Sequence, residues 1–230
     1  MVVVADFDLD LSCDEVLRRL ALDGPAFRAR PARAMVAELL EHIRCERLIR
    51  PRASYRCIGL QGGEGDGMRQ LLEPGRRLPQ RARAEFVLAA AWSLGPGVSA
   101  AVAQAFGQRR GLQALVLDEL ASLFVFRLGE QLFARLREDL ATQGLAVGRP
   151  EAPGDGVVAL TAQAPLLQLA GAGRIGITLA GSGVMSPLKT ATALAPVGRH
   201  VRPPRQDRPG CACASGARCR FSRARSAGAA

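Results

Sequence analysis

The apolar positions of this chain change their spacing several times, and each change predicts an element. Ser12-Cys13-Asp14-Glu15 is a capping box: the Ser12 hydroxyl accepts from the Glu15 amide while the Glu15 side chain reaches back to the Ser12 amide. Val16, Leu17 and Leu20 follow, so a short helix starts there. A second helix is predicted over 31–45. Met35, Val36, Leu39, Leu40 and Ile43 form one apolar stripe, with Arg33, Glu38, Glu41 and Arg44 mostly off it. The compact run from Phe86 to Trp92, closed by Leu94-Gly-Pro-Gly97, predicts a buried strand. Helices are expected at 98–106 and 112–143, the second long, Leu-rich and ended by Gly144 as a C′ residue.

Beyond that helix the spacing shortens. Residues 149–156, Arg-Pro-Glu-Ala-Pro-Gly-Asp-Gly, predict a loop. Leu160 to Ala170 reads as a helix, although Pro165 would cost about 3 kcal/mol if truly interior. Arg174-Ile-Gly-Ile-Thr-Leu179 alternates as a strand, Gly181 to Pro187 reads as a turn, and Thr190 to Leu194 as a returning strand. After Val197 apolar periodicity stops, and 199–230 is expected to be a disordered tail. Residues 1–198 form one expected domain.

Composition narrows the function classes. The chain has 230 residues, 48% hydrophobic and 23% charged, enough for one substantial core. No window approaches 18 consecutive apolar residues, which excludes a spanning helix. The start, Met1-Val-Val-Val-Ala-Asp-Phe-Asp-Leu-Asp, has no basic region ahead of its apolar run and carries three Asp, unlike a secretory signal. A cytoplasmic location is expected. The net charge of +10 suggests nucleic acid until it is divided: residues 199–230 hold eight Arg and one acid, Asp207, and the body is close to balance. The tail could bind nucleic acid electrostatically, but the body has no basic stripe with interleaved aromatics. Lys189 is the only lysine among 31 basic residues, a skew that GC-rich coding explains.

Candidate chemistry is sparse. The glycine-dense stretch from Gly59 to Gly67 lacks the Gly-Lys-Ser/Thr of a phosphate loop. His42 sits among charged helix neighbours with no nucleophile motif to pair with, and Gly181-Ser182-Gly183 lacks the spacing of a nucleophile elbow. Cys211, Cys213 and Cys219 place three thiols within nine residues. Thiolates are soft ligands for zinc or an iron–sulfur cluster, but three make an incomplete structural site. They stand as a candidate metal set beside the alternative of a tail with unspecific thiols. Arg149, on a Pro-containing loop, offers a fork able to hold a carboxylate by two hydrogen bonds. Gly154 and the Gly181–Gly183 turn allow close backbone approach, with Met185 as a soft apolar wall. An amino acid or nucleoside suits such a site; two ordinary turns are the alternative.

The stretch Arg174-Ile-Gly-Ile-Thr-Leu-Ala-Gly-Ser-Gly-Val-Met-Ser-Pro-Leu-Lys-Thr-Ala-Thr192 resembles the C-terminal signature of the activation domain of cobalamin-dependent methionine synthase, in its free-standing bacterial form. Glu15 to Leu20, Ser93-Leu-Gly-Pro-Gly-Val98, Leu160 to Leu167 and Cys213-x5-Cys219-Arg-Phe221 resemble further family segments in the same order. The resemblance implies an α+β fold, a bent antiparallel sheet packed among helices. It implies S-adenosylmethionine binding in a shallow groove and a cobalamin-carrying methyltransferase as partner. A flavodoxin-type donor would supply the electron for reductive remethylation of cobalt. The family loop Arg-Pro-Ala-Pro-Gly-Tyr maps onto Arg149-Pro-Glu-Ala-Pro-Gly154 with one extra residue. Arg149 would then pair the methionine carboxylate, Ala152, Pro153 and Gly154 would present backbone groups, and Glu130, Ser182 and Met185 would complete the ligand site.

The chain departs from the family at Asp155, where Tyr is usual, and at Ala180-Gly181, where Thr-Glu is usual. These departures define a second reading, a scaffold of the same fold that no longer binds S-adenosylmethionine. No catalytic residue is assigned; the chain is expected to act as an accessory module to a methyltransferase in trans.

Overall fold

The computed structural model describes residues 1–19, 30–60, 71, 80–154 and 157–204. Among the described residues the fold is α+β: five helices around a bent, five-stranded antiparallel sheet. In chain order the elements are β1 (Val2–Val4), α1 (Cys13–Arg19), α2 (Arg30–Cys45), β2 (Arg52–Gly59), β3 (Phe86–Ser93), α3 (Gly97–Gly107), α4 (Gly111–Ala141), β4 (Ala146–Val147), α5 (Gln163–Ala170), β5 (Thr178–Leu179), β6 (Met185–Ser186) and β7 (Thr190–Gly198). The sheet order is β1-β2-β3-β7-β4. Strand β3 lies against β2 from Phe86↔Gly59 to Ser93↔Arg52 and against β7 from Phe86↔Val197 to Ser93↔Thr190.

β3 is buried on both faces, as its unbroken apolar run predicts. Leu88, Ala90 and Trp92 enter one core with Ala53, Ala193, Ala195 and Val197. Val87, Ala89 and Ala91 enter the other with Ile58 and Leu194. The first core is roofed by α4, roughly 46 Å long at 1.5 Å per residue. Its buried face includes Leu117, Leu120, Phe124, Leu128, Leu132 and Leu136, each such side chain stabilising by about 1.5–3 kcal/mol when taken out of water. The second core is covered by α5 and the 3-10 turn at Ala172–Ile175.

Local chemistry explains the element ends. Glu15 N donates to Ser12 Oγ at 3.2 Å, half of the predicted capping box. The Glu15 carboxylate instead pairs Arg19 at 3.1 Å and reaches Arg127 on α4, so the box opens to join two helices. At the end of α4, Leu145 N donates to Leu140 O and Gly144 N to Ala141 O, both at 3.0 Å, with Gly144 at φ +70°. That is the Schellman pattern expected of a C′ glycine. Pro165 falls in the first turn of α5, because the preceding turn Leu160–Ala162 is 3-10. Its missing N–H is one that no helical carbonyl would have used.

Two expectations near the C-terminal hairpin need correction. Residues 174–179 are mostly not a strand: Ala172–Ile175 wind as a 3-10 turn, Gly176 is left-handed, and only Thr178–Leu179 are extended. The strand returning from the turn is Met185–Ser186, paired Thr178↔Ser186 and Leu179↔Met185. Thr190 onward belongs instead to β7, between β3 and β4. Alternation could not distinguish a hairpin partner from a sheet partner a hundred residues away. Past β7, Val201 is 4% exposed, Arg199 N donates to Glu85 Oε1 at 2.8 Å, and Gln80 and Arg202 exchange two hydrogen bonds. Of the glycine-dense stretch Gly59–Gly67, Gly59 ends β2, and residues 61–67 lie outside the described residues.

Candidate functional site

The residues that the sequence singles out gather first along the edge of β7 away from β3. Strand β4 pairs Val147↔Val197, and Gly148 N donates to Pro196 O at 2.8 Å. Pro196 has no N–H to return, so the ladder breaks there. It re-forms at Glu151, whose N donates to Leu194 O at 2.7 Å and whose O accepts from Leu194 N at 2.9 Å. From 148 opposite 196 to 151 opposite 194, the outer strand uses one residue more than β7. Arg149-Pro150 therefore forms a β-bulge opposite Ala195, a distortion that re-aims the side chains it carries. The loop expected at 149–156 is thus a sheet edge through Glu151, followed by a turn in which Gly154 N donates to Val158 O at 2.9 Å and Gly154 takes φ +80°.

Close approach holds the edge in place. A Cβ on Gly148 would stand 2.6 Å from Pro196 Cγ and 3.2 Å from Val201 Cγ1, closer than packed carbons sit. Arg149 is 36% exposed and its Nε lies 3.9 Å from Oε1 of Glu151, whose side chain is 5% exposed. Sequence reasoning passed over Glu151; its signal was a carboxylate two residues from the arginine expected to bind one. Ala152 and Pro153 are half-buried and Gly154 is exposed.

The remaining candidates come from other elements. Glu130 is half-buried on α4, next to Gly129, which packs against Trp92 on the first-core side. Met185, half-buried on β6, packs with Leu179 onto the second core. Ser182 is exposed at the tip of that hairpin, in a turn closed by Ala180 N to Val184 O at 2.9 Å. The structure thus gathers Arg149, Glu151, Ala152, Pro153 and Gly154 on one edge. It sets Glu130 and Met185 on the two layers that this edge borders. Cys211, Cys213 and Cys219 lie outside the described residues. Among the described residues no group of three or more His, Cys, Asp or Glu is placed to hold a metal ion, and no helix is long and apolar enough to cross a membrane.

Lys189, to which the sequence analysis assigned no role, anchors the hairpin. Its Nζ lies 2.7 Å from Asp118 Oδ1 and donates to Ser122 Oγ and Asp118 O, both at 3.1 Å. The adjacent Thr190 hydroxyl donates to Ser93 Oγ at 2.9 Å, and Gly95 N donates to the same oxygen at 3.1 Å. The exit of the hairpin is thereby tied to α4 and to the corner after β3.

Two open depressions lie elsewhere. One, of about 680 Å³, is lined by residues including Met1, Arg56, Leu167 and Arg174. The other, of about 460 Å³, is lined by residues including Phe7, Leu40, Arg47 and Phe124. Neither is lined by Arg149, Glu130 or Met185.

No protein-family profile matches the sequence, and no curated protein matches it. Among solved structures the chain is similar to the MetH reactivation domain, solved in complex with AdoHcy. The match has a TM-score of 0.56 at 16% identity and covers 80% of this chain and 70% of that one. At that identity the likeness is one of fold.

Proposed function

We propose that this chain is a reactivation module for a cobalamin-dependent methionine synthase or a related corrinoid methyltransferase, with S-adenosylmethionine as its ligand. The observation that carries the reading is the bulged edge at Arg149-Pro150, set in a fold like that of the MetH reactivation domain. Arg149 is the carboxylate-binding group, half-exposed at the bulge. The segment from Ala152 to Gly154 offers backbone donors and acceptors beside it, and Glu130, Ser182 and Met185 border the ligand. The module works in the cytoplasm and caps a partner that carries the cobalamin, with a flavodoxin-type protein as electron donor. Cobalamin supplies the methyl-transfer chemistry when present on that partner; this chain binds and orients the methyl donor.

Calorimetric titration of the full chain with S-adenosylmethionine tests the reading. A micromolar dissociation constant, about −8 kcal/mol, is the expected result. Absence of heat up to millimolar ligand overturns it. The weight would then pass to the scaffold reading, which one observation favours: the Glu151 carboxylate already faces Arg149. A pull-down with a corrinoid protein would be its test.

A further inference from the structure

Glu151 sits in an environment that a solvated loop residue does not have. Its main chain is pinned by two hydrogen bonds to Leu194. Its side chain is 5% exposed, and the nearby guanidinium of Arg149 is 3.9 Å away from Oε1 at Nε. Burying a carboxylate is costly unless a cation or hydrogen-bond donors compensate it. The bulge places both side chains at one end of the edge, so the arginine able to greet a ligand carboxylate already has one from its own chain.

We propose that Glu151 is an internal stand-in for the ligand carboxylate, setting both the affinity of the Arg149 edge and its selectivity between ligands with and without a carboxylate. The proposal rests on the reading of Arg149 as the ligand anchor and adds a residue that regulates it. An incoming carboxylate meets a guanidinium whose charge is partly answered, and a like charge a few ångströms beyond it. Either it shares the guanidinium and suffers the repulsion, or Glu151 turns away from Arg149. A ligand with no carboxylate meets neither penalty. Wild-type protein therefore discriminates less in favour of the amino-acid end of S-adenosylmethionine than the arginine alone would.

The test compares the full-length wild type with Glu151→Gln by calorimetry against two probes, S-adenosylmethionine and 5′-methylthioadenosine, which lacks the amino-acid carboxylate. The backbone bonds of residue 151 do not depend on its side chain, so the Gln variant keeps the edge. Should it fail to fold by circular dichroism, Glu151→Met takes its place. Removing the competing negative charge 3.9 Å from the guanidinium should tighten S-adenosylmethionine binding by about tenfold and leave 5′-methylthioadenosine unchanged. Equal affinity of wild type and variant for S-adenosylmethionine overturns the role of Glu151 while leaving the functional reading intact. A parallel gain for both probes also overturns it, because the effect would then not concern the carboxylate. Failure of wild type and variant alike to bind S-adenosylmethionine overturns the functional reading, and this proposal with it.

Discussion

Trp92 fills the notch that Gly129 leaves in α4: a Cβ on residue 129 would stand 2.8 Å from Trp92 Cζ2. The indole Nε1 donates to Val125 O at 3.0 Å, one turn earlier on the same helix, and the ring meets Phe133 edge-on at 6.0 Å. Strand β3 and helix α4 are therefore locked at one point by steric fit and a buried hydrogen bond. Gly129→Ala should lower stability by about 1–3 kcal/mol through overpacking. Because Trp92 is the only tryptophan, its fluorescence during urea unfolding reports this directly. An unchanged midpoint would mean that the two elements can separate without cost.

The edge strand depends on a second close approach. Gly148→Ala pushes a methyl into Pro196 and Val201, and both are held by ring or chain geometry. The substitution should destabilise by about 1–3 kcal/mol and should weaken S-adenosylmethionine binding, because it shifts the bulge that aims Arg149. Calorimetry beside a urea titration checks both. Loss of stability with unaltered affinity would separate the bulge from the ligand.

Arg149→Ala removes the expected ligand anchor and also leaves Glu151 buried without that guanidinium. We expect a loss of about 1–2 kcal/mol in unfolding free energy, with ligand affinity abolished. Adding Glu151→Gln to the same chain should restore most of the stability and none of the binding. Restored binding in the double variant would show that another group holds the ligand.

Lys189→Met should detach the hairpin exit from Asp118 and Ser122. With Lys189 only 14% exposed, the loss should be about 1–2 kcal/mol and should respond weakly to salt, since a part-buried pair is poorly screened. Urea midpoints of wild type and variant at low and high salt measure both quantities.

Acid should loosen the N-terminal segment. A hydrogen bond from Arg135 holds the Asp6 carboxyl below its ordinary 3.8, and Arg33 does the same for Asp14. A carboxyl with a depressed folded pKa adds stability that is present above its unfolded value. That stability is lost as pH falls through the folded value. The loss therefore falls below pH 3.8, and it is small because both carboxylates are solvent-exposed. Urea midpoints followed downward from pH 5 should decline less steeply in an Asp6→Asn/Asp14→Asn chain than in wild type.

Much of the architecture was legible in the sequence because it rests on local rules. The Phe86–Trp92 run, the Leu-rich helix stopped at Gly144 and the Met35–Ile43 stripe each became the expected element. Pairing was not legible. Thr190–Leu194 alternates equally well for a hairpin and for a central strand, and only the partner, β3, decides. At the candidate site, Arg149 and Gly154 stood out by residue type. Glu151 did not, because its burial goes with a register shift opposite Pro196, 45 positions further along the chain. Lys189 was equally silent: a lone lysine gives no sign of the aspartate it will meet.

The strand order carries a consequence for how the chain reaches its native state. β7 is the last of the described strands in sequence, yet it lies between β3 and β4. Until residues 190–198 are made and threaded into place, β3 presents an unpaired apolar edge and β4 has no strand to pair with. Pairing Phe86 with Val197 closes a loop of more than a hundred residues, an entropic toll that slows folding. A ribosome-bound chain lacking β7 therefore exposes a strand prone to joining its neighbours. Shortening the protein from its C-terminal side into β7 should yield an aggregating chain rather than a smaller domain.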